Sequence, residues 1–98
     1  FKQILLKTTK VVDSWNGKLF FVYLPGYNDL IQKRENINKK GIINIILDLN
    51  IELIDMEKEV FEKEQNVISL FPKGFSKHYN EIGYQRVSNA IIKKLKEN

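Results

Sequence analysis

The stretch GKLFFVYLP, residues 17–25, decides the fold of this 98-residue chain. It contains a run of six apolar residues, rich in aromatic side chains, between Gly17 and Pro25. Continuous apolarity over this length predicts a β-strand that is buried on both faces, which is typical of a parallel sheet. IELIDM, residues 51–56, predicts a second strand.

Helical patterns surround both predicted strands. Before the first strand, one face of an amphipathic helix is predicted by seven residues at spacings of three and four, namely Phe1, Ile4, Leu5, Thr8, Val11, Val12 and Trp15. Asn16-Gly17 ends this helix, and we expect Gly17 to adopt the left-handed capping conformation. Residues 39–50 predict a second helix, and MEKEVFEKE (56–64) predicts a short third one.

The last helix is predicted from about Asn80 to Lys96, with Asn80 as its N-cap. Its buried stripe is predicted to consist of Ile82, Val87, Ala90, Ile91 and Leu95. Two polar or irregular segments predict loops. These are residues 26–38, with room for one helical turn, and residues 66–79.

Helices that alternate with apolar strands predict an α/β fold with a parallel sheet and right-handed crossovers. Two strands are too few for an independent doubly wound sheet, because each would keep an unpaired edge. Either a partner supplies more strands, or residues 1–98 are one partial domain, the C-terminal half of a larger α/β fold. We expect the second, since the chain starts at Phe1 within a helical pattern and without a methionine.

The composition narrows the classes of function. A hydrophobic fraction of 43% and a charged fraction of 29% are typical of an ordinary globular domain. The chain has no cysteine, which excludes disulfides and thiolate metal sites but leaves the cellular compartment unassigned. No apolar run approaches the ~20 residues that span a bilayer, so we expect no membrane span.

The net charge of +4 does not predict nucleic-acid binding. Of the 16 basic residues 14 are lysines, spread along the chain, and the glutamates of the third helix lie between several of them. These glutamates are Glu57, Glu59, Glu62 and Glu64, and we interpret them as a solvated face. Because the chain has one histidine and no tight carboxylate cluster, we expect no metal site. The sequence also contains no glycine-rich loop of the kind that binds phosphate, so we expect no phosphate-containing cofactor.

His78 is the candidate catalytic residue. It lies in a loop before the last helix, and in an α/β sheet such loops border the carboxyl ends of the strands, where catalytic groups collect. Its imidazole is the side chain in this sequence best suited to general-base catalysis at neutral pH. The alternative is that a lone histidine before a helix is a cap or a surface residue.

The residues around His78 resemble the C-terminal motif of the SGNH (GDSL-type) hydrolase family. His78, Asn80, Gly83, Tyr84 and Ala90 match its "H-x-N-x-x-G-Y…A" pattern. GKLFFVYLP is similar to the penultimate core strand of that fold, and NIELIDMEKEVF (50–61) to its last strand with the following aspartate. The similarity covers nearly the whole chain but only the carboxyl half of the family's fold.

The resemblance implies a flavodoxin-like, three-layer α/β/α fold, of which this chain supplies two parallel strands with flanking helices. It also implies an ester hydrolase or O-acyl transferase that acts on an ester or acetyl ester without a metal or organic cofactor. His78 would be its general base. The serine nucleophile and the oxyanion residues would lie in the N-terminal half, so the chain alone should be inactive.

Two departures from the family pattern affect the catalytic apparatus. The family usually has an aspartate three residues before the histidine, where this chain has Phe75. Either the enzyme uses a Ser-His dyad, with a backbone carbonyl that orients His78, or Asp55 at the end of the second strand is the orienting carboxylate. The other interpretation of Asp55 is a cap of the next helix.

The chain also has no G-D-S turn. None of its four serines, Ser14, Ser69, Ser76 and Ser88, follows a strand in a tight turn, and we interpret all four as ordinary.

Gly26-Tyr27-Asn28-Asp29 matches the family's G-x-N-D signature, which supplies an oxyanion-hole asparagine. Between that signature and the histidine, the family has two helices and two strands. Between Asn28 and His78 there is room for only one helix and one strand. We therefore interpret Asn28 and Tyr27 as loop residues that line the substrate groove, and we expect the oxyanion asparagine outside this sequence.

A second function is open, that of a non-catalytic protein. It would be either a small α/β domain for interaction or oligomerisation, or a degenerate relative of the family in which the loss of the aspartate before His78 marks the loss of activity. A two-stranded sheet would expose apolar side chains among Phe20, Phe21, Tyr23, Leu53 and Ile54 wherever a neighbour is missing. Exposed apolar patches of this kind usually indicate association. We therefore expect the isolated chain to form a homo-oligomer.

Overall fold

The computed structural model describes residues 1–32, 37–72 and 78–97. Its helices and strands follow one another as α1 (Lys2–Ser14), β1 (Phe20–Tyr23), α2 (Tyr27–Gln32), α3 (Ile37–Asp48), β2 (Glu52–Asp55), α4 (Met56–Glu59) and α5 (Glu81–Glu97). Two 3₁₀ helices, Phe61–Lys63 and Val67–Leu70, lie between α4 and α5. The predicted order of major helices and strands is therefore confirmed.

In the described residues, β1 and β2 form a two-stranded parallel sheet. This confirms the α/β class at its coarse level, whereas the three-layer arrangement stays a prediction. The expectation that the first strand is buried on both faces is wrong, because all four residues of β1 are half-buried. A strand is fully buried only where other elements cover both of its faces. In β2, only Ile54 and Asp55 are buried.

The chain divides into two compact units. The first contains Phe1–Val22 and Asn36–Leu53, and the second contains Tyr23–Glu35 and Ile54–Asn98. The division cuts both strands, so that the first unit holds their amino ends and the second holds their carboxyl ends.

In the first unit, α1 and α3 lead into their strands through the same kind of cap. Asn16 and Asn50 adopt positive φ angles of 60° and 56°. The amide of Gly17 donates to the carbonyl of Val12 at 3.0 Å, and the amide of Ile51 donates to that of Ile46 at 3.1 Å. These are Schellman motifs with asparagine at the left-handed position.

The expectation that Gly17 supplies the left-handed cap of α1 is therefore wrong by one residue. Asn16 takes this conformation because asparagine tolerates it better than other residues with a side chain. Gly17 occupies the next position, where its amide completes the motif.

The predicted apolar face of α1 is only partly covered in the first unit, and the helix has no buried residue. Leu5, Thr8 and Val12 are half-buried. Ile4 and Trp15 are 69% and 72% exposed, and Phe1 and Val11 are exposed as well. The periodicity predicted the helix correctly but did not reveal how much of its face the rest of the unit covers.

The second unit has a buried apolar centre to which the strand ends, both 3₁₀ helices and α5 contribute. It contains Leu30, Ile54, Met56, Val60, Phe61, Leu70, Phe71, Tyr79 and Val87. The segments 26–38 and 66–79, predicted as loops, carry α2 and the second 3₁₀ helix within their described parts.

The buried side of α5 differs from the predicted stripe. Gly83 and Val87 are buried and Ala90 and Ile91 are half-buried, but Ile82 and Leu95 are 53% and 50% exposed. A Cβ atom at position 83 would come within 2.8 Å of both the Leu70 carbonyl oxygen and the Tyr79 Cβ. Because residue 83 is a glycine, this side of α5 can lie close to the backbone of the second 3₁₀ helix, Val67–Leu70. Ile82 then faces solvent.

Charged pairs connect α5 to the segment that follows β2. The Lys94 ammonium lies 3.2 Å from a Glu59 carboxylate oxygen, and Arg86 forms an ion pair with Glu64. All four of these side chains are at least partly accessible, so each pair contributes modestly to stability.

Candidate active site

The predicted catalytic residues lie in the second unit, together with the carboxyl ends of both strands. Tyr23 ends β1, Asp55 ends β2, and His78 is three residues before the start of α5. The structure therefore places His78 in the same compact unit as the strand ends that such a site requires.

Asp55 is 7% exposed and caps α4. Its carboxylate oxygen accepts a hydrogen bond from the Glu57 amide at 3.0 Å. The interpretation of Asp55 as a helix cap is confirmed, and the carboxylate also complements the positive amino end of the helix. Its role as the carboxylate that orients His78 stays a prediction.

His78 is exposed to solvent. Phe75, at the position of the family's aspartate, and Ser76 lie outside the described residues.

Tyr79, directly after His78, is anchored inside the second unit. Its hydroxyl donates to the Pro25 carbonyl oxygen at 2.5 Å, across 54 residues of sequence. Its ring contacts those of Phe61, Phe71 and Tyr84, with centroids 5.0, 5.3 and 5.5 Å apart. Burial raises the pKa of the Tyr79 phenol well above its usual value, and nearby Tyr84 and Tyr23 raise it further. The phenol is therefore a protonated donor at neutral pH.

Asn80, the next residue, is held by hydrogen bonds of its side chain and its backbone. Its side-chain amide donates to the Ser69 carbonyl at 2.7 Å, and its backbone amide donates to the Leu70 carbonyl at 2.8 Å. Its side-chain oxygen accepts from the Gly83 amide at 2.9 Å, which confirms the prediction that Asn80 is the N-cap of α5. The exposed His78 is thus followed by Tyr79, which is held through its side chain, and by Asn80, which is held through its side chain and its backbone.

Tyr27 and Asn28 lie in α2, not in the loop that the sequence predicted. The Tyr27 ring packs edge-on against Phe71 with centroids 5.0 Å apart, whereas Asn28 is exposed. Tyr27 is therefore partly engaged in the apolar centre of the unit. A substrate contact by either residue stays a prediction.

The described serines are consistent with ordinary structural roles. Ser14 and Ser69 donate to the carbonyls of Val11 and Asn66, three residues earlier in each case. Ser88 is exposed on α5.

A groove of about 500 Å³ lies between α2 and the segment after β2. It is lined by apolar and acidic side chains, those of Asp29, Leu30, Ile31, Glu57, Phe61, Glu62, Glu64, Gln65 and Val67. Phe61 links the groove to Tyr79, the residue that follows His78, because the Phe61 ring also packs against the Tyr79 ring.

The sequence did not predict this groove or the role of Tyr79. The glutamates had been interpreted as one solvated helix face, but α4 is only four residues long and the chain then continues as a 3₁₀ helix. Glu57, Glu62 and Glu64 all line the groove. For Tyr79, the only sequence signal was an aromatic residue inside a polar motif.

In the part of the chain that the structure describes, no group of three histidine or acidic side chains is arranged to hold a metal ion. None of the described helices combines the length and apolarity needed to cross a membrane. Comparison with models of protein families, with curated proteins and with solved structures gave no match to this chain.

Proposed function

We propose that the chain is the C-terminal part of an SGNH-like serine esterase or acyl hydrolase, in which His78 is the general base. The nucleophilic serine and the oxyanion donors belong to a portion of the enzyme outside this sequence. The substrate is an ester or acetyl ester, and the chain is inactive alone.

The observation that carries this proposal is the combination of an exposed His78 with two anchored residues directly after it. His78 is exposed, while Tyr79 and Asn80 are held by hydrogen bonds to Pro25, Ser69 and Leu70. A general base needs both accessibility and a defined position, because proton transfer requires hydrogen-bond distance to its partner. A surface histidine without a catalytic role has no such requirement.

The chemistry follows that of other serine hydrolases. The neutral imidazole takes the proton of the serine hydroxyl as the oxygen attacks the ester carbonyl carbon. The imidazolium then returns this proton to the departing alkoxide, which leaves as an alcohol. Water hydrolyses the acyl-enzyme in the same way, with His78 again accepting and returning one proton. The groove beside Phe61 is where we place the part of the substrate remote from the scissile bond.

The decisive experiment compares His78→Ala with the unaltered protein in the complete reading frame, with p-nitrophenyl acetate as substrate. Loss of a general base should lower kcat by about 10²- to 10⁴-fold. Gln85→Ala, a substitution at an exposed position of α5, is the control and should leave turnover unchanged. Normal turnover by the His78→Ala protein would show that the proposed role of His78 is wrong.

A second candidate function is supported by the exposed apolar side chains of α1. Ile4 in α1 and the cap residues Phe1 and Trp15 are each more than half exposed, and the helix has no buried residue. Such a surface is typical of interaction or oligomerisation domains. If this is the function, the chain associates through α1, and longer versions of the protein hydrolyse no ester, with or without His78.

A further inference from the structure

The hydrogen bond from Tyr79 joins the residue after His78 to the chain that leaves the first strand. Pro25 is buried two residues after β1, and its carbonyl oxygen accepts a hydrogen bond from the Tyr79 phenol. This contact therefore connects the segment that carries the imidazole to the carboxyl end of a strand, where a parallel sheet presents its catalytic groups.

The surroundings of Tyr79 allow little movement of its side chain. The ring is 7% exposed and lies among the rings of Phe61, Phe71 and Tyr84. Asn80, the residue after Tyr79, is held by hydrogen bonds of its side chain, and at Gly83 the helix α5 lies against Leu70. Because consecutive Cα atoms are about 3.8 Å apart, fixing position 79 narrows the region that the His78 side chain can reach.

We propose that Tyr79 is a positioning residue for His78, and that it acts through the main chain by means of its hydrogen bond to the Pro25 carbonyl. In a Ser-His-Asp triad a carboxylate orients the imidazole directly. Here the neighbouring phenol restricts the backbone from which the imidazole extends. This inference rests on the proposed function of His78.

The protonation of Tyr79 suits this role. A phenol that stays protonated over the neutral range remains a donor, and a buried carbonyl oxygen needs a donor to remain satisfied. Tyr79→Phe keeps the aromatic ring and removes only that donor. The substitution therefore tests the hydrogen bond separately from the packing.

The experiment measures kcat and KM for Tyr79→Phe in the complete protein with p-nitrophenyl acetate. We expect kcat to fall about tenfold or more with KM within twofold of the unaltered protein, because misplacing a catalytic group affects the chemical step more than binding. Val87→Ala is the control, since it weakens the buried side of α5 without touching Tyr79's hydrogen bond. It should lower the melting temperature and leave kcat unchanged well below that temperature.

A second measurement uses the single histidine of the chain. In the 98-residue chain, the ¹⁵N order parameter of the His78 amide should fall in Tyr79→Phe and not in Val87→Ala. Equal kcat values for Tyr79→Phe and the unaltered protein, or equal losses in both variants, would overturn the inference. If His78→Ala keeps full activity, the proposed function itself fails. If His78→Ala is inactive while Tyr79→Phe is fully active, only the positioning role fails.

Discussion

Gly83 lies where α5 comes close to the preceding 3₁₀ helix, Val67–Leu70. The space for a Cβ atom there is occupied by the Leu70 carbonyl oxygen and the Tyr79 Cβ, both 2.8 Å from its ideal position. Both contacts are with groups close to the main chain, so neither can rotate away. A backbone shift is the only way to accommodate a side chain.

We therefore expect Gly83→Ala to destabilise the protein by about 1–3 kcal/mol, although alanine is the better helix former. The matched control is Gly41→Ala in α3, where an added Cβ meets nothing within 4 Å. That substitution should stabilise the chain by about 0.4–1 kcal/mol. Urea unfolding curves of both variants provide the test, and a stabilising Gly83→Ala would contradict the close approach.

The buried phenol of Tyr79 makes the stability of the second unit dependent on alkaline pH. Its pKa is raised in the folded state, so the unfolded chain releases this proton first as the pH rises. The stabilising contribution is therefore complete below about pH 10, the usual tyrosine value, and is lost progressively above it.

Absorbance at 295 nm, which follows tyrosinate formation, should include a step in which Tyr79 ionises at more alkaline pH than a free tyrosine or together with unfolding. In Tyr79→Phe this late step should disappear. Simultaneous ionisation of all four tyrosines near pH 10 in the folded protein would argue against the buried donor.

At the residue scale, the sequence predicted the short-range contacts around the candidate site but not the distant ones. His78, Asn80 and Asp55 were identified from side-chain chemistry and their position beside predicted helices. The capping roles of Asn80 and Asp55 are local, within three residues, and both are confirmed. Tyr79 could not be identified in this way, because its partner Pro25 is 54 residues away.

At the scale of elements, α1 and α3 each end with an asparagine in the left-handed backbone conformation, Asn16 and Asn50. At Asn50, the φ of 56° and the hydrogen bond from Ile51 to Ile46 define the turn into β2. Only glycine adopts this conformation without steric cost, and β-branched residues tolerate it poorly.

Asn50→Gly should therefore change the stability by no more than a few tenths of a kcal/mol, whereas Asn50→Val should destabilise by about 1–2 kcal/mol. Asn44→Val is the matched control, because Asn44 is exposed within α3 and has helical neighbours. Thermal unfolding of the three variants measures the difference. If Asn50→Val and Asn44→Val have the same effect, the cap is not set by backbone conformation.

The sequence predicted the helices more accurately than their buried sides. In α1 the 3- and 4-residue spacing was correct, yet Ile4 and Trp15 are mostly exposed. In α5 the buried side is shifted onto Gly83, so that Ile82 and Leu95 face solvent. Hydrophobic periodicity shows that a helix has an apolar side, but its neighbours decide which part is covered.

At the scale of the whole molecule, the exposed apolar side chains of α1 predict self-association of the isolated chain. Ile4→Glu should weaken it, because a charge would have to be buried at the contact. Gln3→Glu is the matched control, since it adds the same charge to an exposed polar position one residue away. Light scattering at micromolar concentration measures the oligomer, and a monodisperse monomer of the unaltered chain would count against this prediction.

The fluorescence of the single tryptophan provides an independent measurement of self-association through α1. Trp15 is 72% exposed, so its fluorescence should shift to shorter wavelength as the chain concentration rises. An unchanged spectrum across the concentration range in which light scattering detects the oligomer would exclude Trp15 from the interface.

The sequence by itself determined the order and type of the main elements, the coarse α/β class, and the caps at Asp55 and Asn80. These depend on periodicity and on hydrogen bonds that span a few residues, so the information lies close together in the chain. The tertiary structure alone decided the half-buried state of β1, the side of α5 that is covered, the lining of the acidic groove and the hydrogen bond from Tyr79 to Pro25. Each of these depends on which distant segments of the chain come into contact. A local sequence pattern does not show which distant segment will pack against it.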